Sequence, residues 1–363
     1  MSFYKFDDIC ISGISTAVPK QKQLTESFRD RFGIEAVDKF INVSGVKQAH
    51  RSIAKQTASD LGYVAAEDLI NKLSIDRSTI GALVFVSHSF DYKRPATACV
   101  LQKRLGLSKD CTVFDIGMGC SGFVYAMQVV GSCMKCSDIE RALVIIAETP
   151  SKVYPPMDRT YMLMGDVGSA VLLKKDSDAS PMCGLLKSDG YLYDAIITPA
   201  GASRHPDVKR DIFTCKDGVE RSFYNTHMHG ADVFAFTITD IPVLLRDFFA
   251  RTSTVAKNYE SYIFHQANLD MMKQFSKRLK IGMDKIPVSL DRYGNTTCSS
   301  IPLTICDKYS AEKSAKSIKP LMCGFGVGLS LGAMTAEIMT DGILPIIESN
   351  DYYFDADVEL SKY

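Results

Sequence analysis

The amino-acid sequence predicts an α/β fold, and three observations carry that prediction. Short apolar runs bounded by turn residues, such as ALVFVS and ALVIIA, have the length and β-branched content of buried strands. Longer stretches with apolar residues three and four apart, such as TASDLGYVAAEDLINKL, have helical spacing. The two kinds of segment alternate in two series of similar length, on either side of a polar, turn-rich stretch at 174–181. That arrangement suggests a duplicated architecture, although no residue-level repeat accompanies it.

Taken in order, residues 9–15 read as a first strand, which Pro19 closes because proline cannot donate to a ladder. Residues 57–73 form a helix that Thr57 or Ser59 can cap. A strand at 82–87, a helix at 96–105 and a strand at 112–116 follow. A helix at 122–135 and strands at 142–147 and 168–173 complete the first series. The second series holds a strand at 195–198, a helix at 231–251, a strand at 262–265 and a helix at 269–279. A helix near 299–309 and strands at 320–324 and 329–338 end it. The stretch 201–228 is irregular over a length that usually lines or covers a site. The acidic, aromatic tail at 341–363 reads as a capping extension or a partly ordered end.

Composition narrows the function classes. Lys+Arg and Asp+Glu both total 42, so there is no global positive field to gather nucleic acid or an anionic membrane. No apolar run approaches the roughly 20 residues of a membrane span, and MSFYKFDDIC lacks the pattern of an export signal. The expectation is a cytoplasmic globular protein. Its 11 cysteines form an odd count without framework spacing, which points to reduced thiols, most of them packed as small hydrophobes. Cys133 and Cys136 make a C-x-x-C within a helical stretch with no second pair, and His227 and His229 have no ligand cluster beside them. No metal site is expected.

Three places can carry chemistry. In TVFDIGMGCSGFVYAMQVV, residues 112–130, a buried strand enters a glycine-flanked turn, then Cys120, then an amphipathic helix. The positive end of a helix favours thiolate, the nucleophilic form of cysteine, and the glycines permit close approach of a substrate. The competing reading is a buried packing cysteine. In YIFHQANLDMM, residues 262–272, His265 ends a strand, where a histidine is often structural. In YGNTTCSSIP, residues 293–302, Asn295 follows a glycine in what alone reads as a turn.

In this order, DIGMGCSGF, HQANL and YGNTT–SSIP resemble the cysteine, histidine and asparagine motifs of the β-ketoacyl-[acyl-carrier-protein] synthase III family, condensing enzymes of the thiolase fold. ISGISTAVP, DRTYMLMGDVGSAVLL, MHGADVF and GFGVGLSLGA extend the resemblance over residues 9–338. It implies a five-layered α-β-α-β-α fold with pseudo-duplicated halves at 1–180 and 181–340, followed by an extension at 341–363. It also implies that Cys120 takes an acyl group from a thioester, that His265 and Asn295 hold the enolate left when a malonyl-type thioester loses CO2, and that the product is a 3-oxoacyl thioester. Backbone N–H groups of Cys120 and the loop at 326–328 would hold the acyl oxyanion. By the same resemblance, Phe40, Arg159, Met228, Ala267, Asn268 and Phe325 line the pantetheine tunnel, and Asp166 supports the fold. Substrates would be coenzyme A or phosphopantetheine thioesters with no resident cofactor, the partner an acyl-carrier protein, and the assembly a homodimer.

Departures from the family pattern are informative. Phe40 stands where a tryptophan is usual and Val43 or Ser44 where an arginine is, which weakens a nucleotide contact and shifts weight from coenzyme A to a carrier-protein donor. Arg94 stands where an apolar residue usually gates the acyl pocket. Facing inward, or into a partner's pocket, it would favour a polar or carboxylated acyl group. Cys298 replaces a small alanine and reads as packing. An acyltransferase that passes the acyl group to an alcohol or amine is the alternative function. A silent subunit would be expected to lack Cys120, and in a cysteine hydrolase Asn295 would be redundant.

Overall fold

A computed structural model describes residues 1–312 and 314–354. Two sheets organise the chain. The larger is built on Ile9–Pro19, Val167–Lys175, Arg141–Glu148, Ile80–Val86 and Thr112–Ile116, which lie side by side in that order. Ile80–Val86 runs parallel to both Arg141–Glu148 and Thr112–Ile116, so helices must cross between them. The smaller sheet is ordered Ser2–Phe6, Met182–Ser188, Ser330–Thr335, Leu321–Gly326, Tyr262–Phe264.

Strands buried on both faces explain the continuous apolar runs of the sequence. The even-numbered residues Val84, Val144 and Ile146 point into a central core with the helices Gly122–Lys135 and Ser300–Tyr309 and with Met322 and Met334 of the smaller sheet. Their neighbours Leu83, Phe85 and Ile145 point the opposite way, onto Leu69 of the helix Ala58–Lys72 and Leu101 of Thr97–Arg104. On the far face of the smaller sheet, Phe264, Cys323 and Leu331 pack against Leu244 of Gly230–Thr252 and Phe275 of Leu269–Leu279. The layers thus run helix, sheet, helix, sheet and helix, with the middle helices inside the central core and one core under each outer helix layer, which is the five-layered thiolase fold.

The helix at 57–73 starts as the sequence suggests, with Thr57 as the cap. Thr57 Oγ1 accepts the Asp60 N–H at 3.3 Å, and Asp60 returns the bond by accepting the Thr57 N–H at 2.8 Å. Differences fall where the apolar pattern is short. Ser2–Phe6 and Met182–Ser188 are strands that the sequence reading passed over, and they pair antiparallel. The strand expected at 329–338 is two, Ser330–Thr335 in the smaller sheet and Ile338–Met339 in the larger. The strand expected at 195–198 is the two residues Ile196–Ile197, paired with His227–Met228 at the ends of the irregular stretch.

The chain ends exchange sheets. Ser2–Phe6 lies in the smaller sheet, while Ile347–Ser349 pairs in parallel with Ala17–Pro19 of the larger. The Gln56 side chain donates to the Ser349 and Asp351 carbonyls, and the Tyr353 N–H donates to the Asp60 carboxylate at 2.9 Å. Asp60 also holds Arg104 at 3.0 Å in a buried ion pair, with the guanidinium between the rings of Tyr63 and Tyr353. The described part of the tail is therefore a docked extension, and residues 355–363 lie outside the described ones. No helix among the described residues is long and apolar enough to cross a membrane.

Candidate active site

The strand Thr112–Ile116 delivers the chain into the turn that carries Cys120. The helix begins two residues later, with Ser121 in the N-cap position. Ser121 Oγ lies 2.6 Å from Ser330 Oγ, which donates to the Val327 carbonyl at 2.6 Å and so ties the turn to the loop at 326–328. Gly326 sits against the thiol: with φ +151°, a Cβ there would meet Cys120 Sγ at 2.9 Å. The Val327 N–H reaches the sulfur and lowers its pKa.

The expected resting thiolate is corrected here. Burial pushes the Cys120 thiol up to about 11, and the nearby Glu148 carboxylate adds to the shift against the Val327 N–H. Desolvation of the charge outweighs the helix end, because Cys120 precedes the cap and its sulfur is packed against backbone. The resting form is the thiol.

His265 follows the strand Tyr262–Phe264, and its N–H extends the parallel ladder to the Cys323 carbonyl at 2.8 Å. That pairing sets its ring edge-on to Phe325, with centroids 5.2 Å apart. Nδ1 lies 2.8 Å from Ser300 Oγ. Burial lowers the imidazole pKa to about 4, so the ring is neutral near pH 7.

Asn295 is held by its own backbone. Its N–H donates to the Leu163 carbonyl at 2.7 Å and its carbonyl accepts from Gly165 at 3.0 Å. The preceding Gly294 has φ +70°, and a Cβ there would press on the Leu163 carbonyl. Asn295 Oδ1 accepts the Thr297 N–H at 2.9 Å. The oxygen end of the amide is thereby engaged, which leaves the NH2 as the end available to a ligand.

Cys120, His265 and Asn295 line one cavity of about 690 Å3. Met228, Ala267, Asn268 and Phe325 line it too. Asn268 also caps the helix Leu269–Leu279 by accepting the Met271 N–H at 2.8 Å. Phe40 and Arg159 are placed elsewhere. Phe40 is half-buried and packs with Phe28, Val37 and Met162, while Arg159 is exposed at the start of the helix Arg159–Leu163. Arg94 is exposed and lies outside the cavity wall. Cys298 is buried in the central core, as expected for packing. Asp166 accepts the Ser52 and Ser151 N–H groups at 2.8 and 3.0 Å, in keeping with support of the fold.

Sequence reasoning passed over His88, Ser89, Glu148, Tyr154, Thr198 and Thr226, which also line the cavity. Glu148 accepts the His88 N–H at 2.5 Å and the Ser89 hydroxyl at 2.6 Å, and burial raises its pKa. A carboxylate closing the apolar strand Arg141–Glu148 was the available signal. Nothing in the sequence marks the two threonines, which the irregular stretch brings in from either end.

Family models match this chain at residues 114–190, as 3-oxoacyl-[acyl-carrier-protein (ACP)] synthase III, and at 249–338, as its C-terminal part. A β-ketoacyl-[acyl-carrier-protein] synthase III of Clostridium perfringens is 30% identical over 86% of this chain and 94% of its own length. The chain belongs to the β-ketoacyl-[acyl-carrier-protein] synthase III family. One from Xanthomonas campestris is 30% identical over 89% of this chain and 96% of its own. Among solved structures, a 3-oxoacyl-(acyl-carrier protein) synthase from Burkholderia xenovorans superposes with a TM-score of 0.89 at 30% identity, covering 96% of this chain and 99% of its own. The chain is thus an enzyme of a condensing family on the thiolase fold.

Proposed function

We propose that this synthase III family member catalyses a decarboxylative condensation through an acyl group held on Cys120. The observation that carries the reading is the convergence of Cys120, His265 and Asn295, from three separate segments, on one cavity. In the first half-reaction Cys120 Sγ attacks the carbonyl of an acyl thioester. The carbon–sulfur bond to the donor breaks, and the proton lost by Cys120 ends on the departing pantetheine thiol. The Cys120 and Val327 N–H groups hold the oxyanion of the tetrahedral intermediate.

In the second half-reaction a malonyl thioester loses CO2, and the electron pair of the broken C–C bond passes into an enolate. The free NH2 of Asn295 donates to the enolate oxygen, and His265 Nε2–H does so as well when the Ser300 hydroxyl turns its proton from the Thr297 carbonyl to Nδ1. His265 is neutral, so it neither anchors the malonyl carboxylate as an imidazolium would nor hands a proton to the enolate. The carbanion attacks the acyl-Cys carbonyl, the thioester bond to Cys120 breaks, and the thiolate takes up one proton from solvent. Preorganised donors of this kind contribute about 10²–10³ each in rate.

Met228, Ala267, Asn268 and Phe325 form the wall along which the pantetheine arm of the donor lies. Phe40 and Arg159 would meet only the outer part of a larger donor. The carrier is an acyl-carrier protein, with coenzyme A as the lesser donor, and no resident cofactor takes part. The working assembly is a homodimer in the cytoplasm, with its halves divided at 180/181.

The test is intact-protein mass spectrometry after mixing the enzyme with acyl thioesters of coenzyme A and carrier protein, with Cys120→Ala as control. A malonyl-carrier-protein chase follows. An adduct on Cys120 that disappears with CO2 release is expected. An adduct indifferent to malonyl thioesters but discharged by an alcohol or amine would replace condensation by simple acyl transfer.

A further inference from the structure

The wall of the cavity beside Cys120 is more polar than a plain hydrocarbon chain needs. Tyr154 is half-buried next to the nucleophile, close enough that a charge on Cys120 would raise its pKa further, beyond the effect of burial. Thr226 and Thr198 line the same cavity as Tyr154, and Thr226 Oγ1 lies 2.9 Å from Thr198 Oγ1. The three hydroxyls come from separate segments, the turn after Pro150–Lys152 and the two arms of the irregular stretch.

Three hydroxyls carry three protons, and the link between the two threonines uses one. Two protons and several oxygen lone pairs are left for whatever fills the cavity. An alkyl chain cannot answer them, whereas a hydroxyl, which both donates and accepts, can. A site built this way rejects the analogue lacking the polar group far more strongly than an apolar pocket rejects an added one. Among the described residues that line the cavity there is no Lys or Arg to pair with a carboxylate on the acyl group.

We propose that the acyl group accepted by Cys120 bears a neutral hydrogen-bonding substituent, a hydroxyl in the first place, read by Tyr154, Thr226 and Thr198. This rests on the reading of Cys120 as the acyl carrier. It sets aside the carboxylated acyl group that an inward Arg94 would have favoured.

The experiment follows acylation of Cys120 by mass spectrometry with three pantetheine thioesters: butyryl, 3-hydroxybutyryl and succinyl. In the wild-type enzyme 3-hydroxybutyryl should exceed butyryl in kcat/KM by at least about tenfold, one hydrogen bond's worth, with succinyl slowest. The ratio of 3-hydroxybutyryl to butyryl should fall toward one in Tyr154→Phe and in Thr226→Val. Butyryl equal to or faster than 3-hydroxybutyryl in the wild type overturns the proposal, as does succinyl fastest, or a ratio that survives in both variants. In each of those cases acylated Cys120 leaves the proposed function standing. No adduct from any of the three removes both. If the variants do not fold, the wild-type ratio alone decides.

Discussion

Replacing Asn295 by Asp tests the enolate site with almost no change of shape. Asn295 Oδ1 accepts the Thr297 N–H at 2.9 Å, and a carboxylate oxygen can accept it equally well. The backbone bonds to Leu163 and Gly165 do not involve the side chain. Only the other end changes, from an NH2 that donates to an oxygen that cannot. Loss of the donor alone is worth about 10²–10³ in rate, or about 3–4 kcal/mol. If ionised, the new oxygen also faces the enolate charge: at about 4 Å and an effective dielectric of about 20, that repulsion is roughly 4 kcal/mol. Decarboxylation of a malonyl thioester should therefore fall by at least about 10³-fold, and further in Asn295→Asp than in Asn295→Ala. Acylation of Cys120, which forms no enolate, should change by less than about threefold. Following 14C-labelled CO2 release and the Cys120 adduct in parallel separates the two steps. Equal loss of both would show that Asn295 serves only to shape the turn, and retained decarboxylation would remove it from the reaction.

Three further expectations follow from the same geometry. Because burial raises the Cys120 thiol to about 11, its alkylation by iodoacetamide should still be accelerating between pH 9 and about 10; a plateau at or below pH 9 would restore the low-pKa nucleophile. His265 has a folded pKa of about 4 against an ordinary 6.5, so the unfolded chain binds the extra proton first as pH falls. Its contribution to stability is complete above about 6.5 and is lost progressively down to about 4, by up to about 3 kcal/mol; His265→Gln should flatten that part of a urea-denaturation series, and an unchanged slope would refute it. Arg104→Ala leaves Asp60 buried without its cation and should cost about 3–5 kcal/mol, read as a lower denaturation midpoint. A loss below about 1 kcal/mol would mean that the Thr57 and Tyr353 N–H groups suffice for that carboxylate.

The fold was legible where burial is two-sided. ALVFVS and ALVIIA could only be strands of a covered sheet, and the capping box at Thr57 and Asp60 is written in four consecutive residues. Ser2–Phe6 was missed because five residues are too few to show a period, although Phe3, Tyr4 and Phe6 are aromatic, and its partner Met182–Ser188 follows directly on a turn. The three site residues were legible through local wording, a glycine turn before a helix, a histidine ending a strand and a Gly-Asn turn. Their protonation was not, because desolvation depends on what the other segments bring: Gly326 against the sulfur and Phe325 against the imidazole are some 200 and 60 residues away in sequence. The hydroxyls of Tyr154, Thr198 and Thr226 were invisible for the same reason, since no single stretch contains more than one of them.

The exchange of chain ends between the sheets bears on how the molecule is made. Ala17–Pro19 leaves the ribosome early and receives its parallel neighbour, Ile347–Ser349, only after some 330 further residues have been synthesised. Parallel pairing over that separation carries the full entropy of a very long loop and comes late. Until then the Ala17–Pro19 end of that strand stands bare, although Ile338 already pairs with Ile11, in a nascent chain whose first strand also waits for Met182–Ser188. That edge of the larger sheet is closed by a segment made late, so a chain that stops short of residue 347 should meet the quality-control machinery with part of it open and pairing-competent.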